Sequence, residues 1–95
     1  MGKVLILEVP HKKPFNFQIN LPFYRRNVFK VRVKEGIIKP GMKLKINEKI
    51  IEIERIEAER KKLEEAKTGE EVWLITKNGN TEILVMAEGK EVEFF

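Results

Sequence analysis

Apolar and polar residues alternate with a period of two through most of the chain, the spacing that puts successive side chains on opposite faces of a strand. The alternation predicts strands over residues 3–9, 28–34, 42–47, 50–56, 71–76, 82–86 and 91–95. Residues 28–34 give the clearest pattern, with Phe29, Val31 and Val33 on one face and Lys30, Arg32 and Lys34 on the other. Pro40-Gly41 suits a type II turn, because proline presets the first central φ and glycine supplies the positive second one. That turn is expected to join 28–34 to 42–47. Asn78-Gly79 has the composition of a tight hairpin turn between a strand ending at Thr76 and one beginning near Thr81. Residues 54–67 have a helical composition, with Glu57 four residues before Lys61. Their apolar positions, Ile56, Leu63 and Ala66, are too sparse to anchor a helix. A strand ending near Ala58, then a turn or short helix before Gly69, is expected instead. Six or seven short, mainly antiparallel strands predict an all-β fold, and at 95 residues a small closed barrel is favoured over a sandwich.

The hairpin across residues 42–56 can be registered from its side chains. Pairing Leu44 with Ile53 and Ile46 with Ile51 keeps the apolar face continuous. It also sets Lys43 opposite Glu54 and Lys45 opposite Glu52, so those lysines are expected to be neutralised within the hairpin. Residues 10–27 depart from the alternation. They hold three of the four prolines, three of the six phenylalanines, and Lys12, Lys13, Arg25 and Arg26. A connection of this length is unusual in a compact domain and is often functional. Its aromatic content argues against simple disorder. The chain is thus read as a single domain, 1–95, with 10–27 a basic aromatic loop.

Charge sharpens this picture. The formal net charge is +4, but residues 1–47 carry 11 Lys and Arg against 2 Glu, a balance of +9, and residues 48–95 carry 8 against 13, a balance of −5. A field of this kind draws polyanions or acidic surfaces to the positive half. Cysteine, serine and aspartate are absent, and histidine occurs once, at His11. No disulfide, thiolate zinc site, serine or cysteine nucleophile, or two-histidine metal site can be built within one chain. General acid-base chemistry would have to rest on Glu, Lys, Tyr24 or His11, with no recognisable constellation. A non-enzymatic chain without cofactor or metal is expected. Gly36 and Gly41 have the spacing of a phosphate-binding loop, but Met42 occupies the lysine position and the context is strand, turn, strand. No nucleoside triphosphate is expected to bind. No apolar run is long enough to span a bilayer, and the first residues are too short for a signal peptide, so a cytoplasmic location without a membrane partner is expected. Abundant Glu and Lys with one glutamine match the composition of hyperthermophile proteins.

Lys30, Arg32 and Lys34 on one strand face repel one another unless glutamates of a neighbouring strand or a phosphate backbone cover them. No partner for them is evident in the sequence. With Lys12, Lys13, Arg25 and Arg26 they lie near Phe15, Phe17, Phe23 and Tyr24, and cations interleaved with rings suit single-stranded RNA. The competing reading of the phenylalanines is that they plug the barrel. His11 reads as an exposed loop residue and Trp73 as core.

The stretch Val33-Lys34-Glu35-Gly36-Ile37-Ile38-Lys39-Pro40-Gly41 resembles the second domain of translational GTPases, the β-barrel of elongation factor Tu, where a strand runs into Gly-Ile-Ile-Lys-x-Gly. Ile56-Glu57, Arg60-Lys61, Leu63-Glu64-Glu65-Ala66 and Gly69-Glu70-Glu71-Val72 resemble the later part of the same domain. The resemblance covers about half of the chain and implies a barrel of that family. It further implies ribosomal or transfer RNA as partner, with Glu57 and Arg60 at the positions that line the pocket for the acceptor end of transfer RNA and Glu71 in place of an asparagine there. The alternative implied by the same barrels is a module that docks onto a larger RNA-processing enzyme or a ribonucleoprotein, making a protein partner the second expectation.

Overall fold

A computed structural model of the chain describes residues 2–9, 28–77 and 81–95. The basic aromatic segment 10–27, with Lys12, Lys13, Arg25 and Arg26, lies outside the described residues, as does the Asn78-Gly79 turn. The strands in chain order are β1 (Gly2–Glu8), β2 (Val28–Glu35), β3 (Ile37–Ile38), β4 (Lys43–Ile46), β5 (Lys49–Ala58), β6 (Lys61–Leu63), β7 (Ala66–Lys67), β8 (Glu71–Thr76) and β9 (Glu91–Phe94), with one helix, α1 (Thr81–Met86), before the last strand. The main sheet runs β4-β9-β1-β2-β8-β5-β6, and β4 pairs with β5 as well, so six strands close into a barrel and β6 is appended to the outside of β5. β3 and β7 form a separate two-stranded ribbon, and every pairing is antiparallel.

The period-two pattern explains the interior. Val4 and Ile6 of β1, Phe29, Val31 and Val33 of β2, Leu44 and Ile46 of β4, Val72 and Leu74 of β8, and Phe94 of β9 are buried in one continuous core. β5 contributes Ile51, Ile53 and Ile56. The three-residue step from Ile53 to Ile56 is absorbed where the pairing with β8 skips between Ile53 and Arg55, a bulge that returns the next apolar side chain to the inside. Among the described residues Thr76 is the one buried polar side chain. Gly2 sits where β1 starts against the end of β2. A Cβ there would run into the Glu35 carbonyl oxygen and the Phe94 ring, so this close approach accepts only glycine without adjustment.

The expected barrel is present, and four local expectations are corrected. Residues 82–86 are not a strand after a hairpin: Thr81–Met86 is helical, and Leu84 and Ala87 are buried in the core. The run Ile83-Leu84-Val85-Met86 is uninterrupted apolar sequence, in which periodicity alone does not separate helix from strand. The three-residue spacing of Leu84 and Ala87 lets a single helical turn seat both in the barrel. Gly89, at φ 83°, ends the turn and donates its N–H to the Ile6 carbonyl at 2.7 Å, joining it to β1. The second correction is between Ala58 and Gly69: β5 ends at Ala58 and a turn follows at Glu59 and Arg60 as expected, but the chain then adds the short strands β6 and β7, with Ala58 opposite Lys61 and Ile38 opposite Ala66.

The third correction is the β4–β5 register, which pairs Leu44 with Ile51 and Ile46 with Lys49, two residues from the expected pairing. Lys43 therefore faces Glu52, and Lys45 stands between Ile50 on β5 and Glu93 on β9. A two-residue slip preserves which side chains face inward. The register is instead set by the tight turn at Asn47 and Glu48, in which Asn47 takes a φ of 57° that asparagine tolerates better than most residues. The Pro40-Gly41 turn has the expected positive φ, 94° at Gly41, but it leads from β3 into β4 and not directly from β2. The fourth correction is Trp73, which is half-buried on the outside of the barrel and outside the core.

Candidate nucleic-acid interface

The outer face of β2-β8-β5-β6 collects the chemistry that the interior excludes. β2 points Lys30, Arg32 and Lys34 outward, as the alternation predicts. On β8 the same parity turns Glu71 and the half-buried Trp73 outward, because Val72 and Leu74 turn inward. The bulge in β5 brings Arg55 and Glu57 to this side. The registers align these residues in rows across strands. Arg32 stands opposite Glu71, and Lys30 opposite Trp73, which in turn faces Glu57 and, beyond it, Lys62.

Glu71 links the first two strands. Arg32 donates from Nε to Glu71 Oε2 at 3.0 Å and from a terminal guanidinium nitrogen to the same oxygen. Lys30 Nζ is 3.8 Å from the other carboxylate oxygen. The hydrogen bond from Arg32 is the largest cause holding the Glu71 carboxyl below the usual glutamate range. Partial desolvation opposes it, and the charges of Arg32 and Lys30 add to it. The expectation that these cations have no partner is therefore corrected for Lys30 and Arg32: a glutamate on the adjacent strand, the simpler of the two coverings, reaches both. Glu8 is opposite Lys30 in register on β1 but forms no ion pair with it among the described residues. Lys34 is exposed and makes no ion pair among the described residues.

Trp73 is the one tryptophan of the chain. Lys30 Nζ lies over its ring, 5.9 Å from the centroid, within the range of a cation–π contact. Its residue type suggested core; its parity with Glu71, two residues earlier, was the signal for the outer face. Next along the face, Arg55 Nε is 3.1 Å from Glu57 Oε2, close enough for an ion pair but without the alignment of a hydrogen bond, and that buried N–H has no acceptor among the described residues.

Glu57 and Arg60, the pair singled out by resemblance, belong to one hairpin and form no ion pair with each other among the described residues. Glu57 is engaged by Arg55 on the strand, whereas Arg60 is exposed at the β5–β6 turn. That turn is formed by Glu59 at φ 52° and Arg60 at φ 68°, two side-chain-bearing residues in the left-handed region. A two-residue hairpin needs positive φ at both central positions, usually from Asn and Gly. Among the described residues no cluster of His and Glu is arranged to hold a metal, and no helix is long and apolar enough to cross a membrane.

Among curated proteins none matches the sequence significantly. A family model does: the one described as elongation factor Tu domain 2 matches residues 27–87, well over half of the chain and every strand from β2 to β8. The closed antiparallel barrel and this match agree, and the chain belongs to the elongation factor Tu domain 2 family, the translation-related barrel domain of translational GTPases.

Proposed function

We propose that this barrel binds RNA, ribosomal or transfer, without catalysing a reaction. The contacts are the outward cations of β2, Lys30, Arg32 and Lys34, with Lys12, Lys13, Arg25 and Arg26 of the 10–27 segment. The observation that carries this reading is the charge imbalance on β2. Of three cations at two-residue spacing, Lys30 and Arg32 share a single carboxylate, Glu71, and Lys34 has none within ion-pair distance among the described residues. A polyphosphate backbone supplies the charge that the protein itself leaves short, at a modest desolvation cost because Lys34 is exposed and Lys30 and Arg32 are partly so. Glu71, standing where the family's pocket has an asparagine, adds a negative charge that would repel RNA. Its hydrogen bonds from Arg32 neutralise much of that charge. Glu57 and Arg60 extend the surface onto β5 and its hairpin turn.

The test is binding of the purified protein to transfer RNA and to ribosomal RNA fragments across a range of salt. The expected result is saturable binding whose logarithm falls linearly with the logarithm of salt, by about 0.9 for each phosphate neutralised on a duplex. Lys30→Glu with Lys34→Glu, which leaves the Arg32–Glu71 pair in place, should reduce both the affinity and the slope. Arg25→Glu with Arg26→Glu should act in the same direction. Absence of binding at low salt, or binding indifferent to salt, overturns the reading and leaves a protein partner as the thing to find.

A further inference from the structure

We infer that Trp73 is a stacking platform for an unpaired nucleobase, flanked by Lys30 and Arg32 for the neighbouring phosphates. The inference rests on the RNA-binding reading and adds to it the kind of RNA that this face selects, a single strand or an unpaired end in preference to a duplex.

Three observations support it. The ring stands on the outer face of a barrel whose core is closed without it, since Val72 and Leu74 fill the inward positions of β8 and Trp73 is absent from the core cluster. The group recorded over the ring is an ammonium whose side chain is 34% exposed. A lysine on a flexible stem can swing from ring to phosphate, whereas an apolar neighbour would have to be expelled. Lastly, the cations bordering the ring lie on one side of it, on β2, and a stacked base carries its phosphates only a few ångströms away. A base has a π-face whatever its identity, so the site is expected to tolerate any sequence and to discriminate by strandedness.

A purely structural role is the alternative, with the indole covering the strand between the Lys30 and Glu57 side chains. Trp73 supplies its own reporter, being the one tryptophan. The full chain would be titrated at low salt with a single-stranded oligoadenylate of about eight nucleotides, within the usual site sizes, and with a blunt RNA duplex of equal phosphate number. Binding would be followed by retention of labelled RNA and, separately, by tryptophan emission. Stacking predicts that oligoadenylate quenches Trp73 at saturation and that the duplex does not. It also predicts that Trp73→Leu, which keeps an apolar cover, weakens oligoadenylate binding about tenfold while leaving duplex binding within about twofold, and that Trp73→Phe restores part of the loss. If both RNAs bind but oligoadenylate leaves the emission unchanged, the platform is overturned and the RNA-binding reading stands. If neither is retained at low salt, the RNA-binding reading fails and the platform with it. The quenching arm uses the unaltered protein, so it decides even if Trp73→Leu does not fold.

Discussion

The two faces of β2 and β8 are built from the same backbone and alternate residue by residue, yet they follow different rules. Inside, Phe29, Val31, Val33, Val72 and Leu74 are buried aliphatic or aromatic groups for which volume and shape are nearly all that matters. Outside, Arg32 meets Glu71 in hydrogen-bond geometry, Lys30 spans Glu71 and the Trp73 ring, and Arg55 lies beside Glu57. The inner face is apolar and undirected, and it determines that the barrel forms. The outer face is polar and directional, contributes little to stability, and presents the chemistry available to a partner.

Truncating the interior should give the largest effect. Leu74→Ala removes a fully buried side chain from the centre of β8 and should cost about 2–5 kcal/mol in urea denaturation, a large share of a small domain's stability. A loss no greater than that caused by an outward substitution such as Lys34→Ala would erase the distinction between the faces. A smaller effect is expected at the start of β1. Gly2→Ala places a methyl against a backbone oxygen and the Phe94 ring and should cost about 1–3 kcal/mol, read as an earlier thermal midpoint. A midpoint equal to that of the parent would mean that the start of β1 yields freely.

The β5–β6 turn sharpens the comparison in the opposite direction. Replacing Glu59 with Asn and Arg60 with Gly relieves two left-handed side-chain-bearing residues and should raise stability by about 1 kcal/mol, or about 4–8 °C in midpoint. If Arg60 contacts RNA, the same double substitution should weaken RNA binding while the protein becomes more stable. Loss of both properties together would show that the turn is structural only.

The smallest effect is a pH dependence. The carboxyl of Glu71 is held below its unfolded value by Arg32, so its contribution is present above the unfolded glutamate pKa and is lost as pH falls through the folded one. Thermal midpoints measured from neutral pH to about pH 3 should therefore converge for the parent and Glu71→Gln at the acid end. The parent should lead only at neutral pH, and an unchanging difference across the range would rule the pairing out as the cause.

Much of the barrel was legible because parity is a local property. The alternation in 28–34 placed Phe29, Val31 and Val33 inward and Lys30, Arg32 and Lys34 outward, and the Gly-Ile-Ile-Lys-Pro-Gly stretch pointed to the family that the match over residues 27–87 establishes. The site was less legible. Trp73 sits in the four-residue apolar run from Val72 to Ile75, where alternation gives no direction, and residue type outweighed the parity it shares with Glu71. The pairing of Glu71 with Lys30 and Arg32 depends on β8 lying beside β2, some 40 residues apart in the chain.

The sequence by itself determined that this protein is a small all-β barrel of one family, with an aliphatic interior and a basic first half, because turn residues, two-residue periodicity and charge are written in neighbouring positions. Tertiary structure decided the rest. The tight Asn47-Glu48 turn set the β4–β5 register, since a slip of two leaves every inward side chain inward. The barrel made a helix of 81–86, because Leu84 and Ala87 could both be buried only on one helical face. The order of strands placed Glu71 between two cations and set Lys30 over the tryptophan, since which strands become neighbours is a property of the whole closed sheet and not of any segment within it.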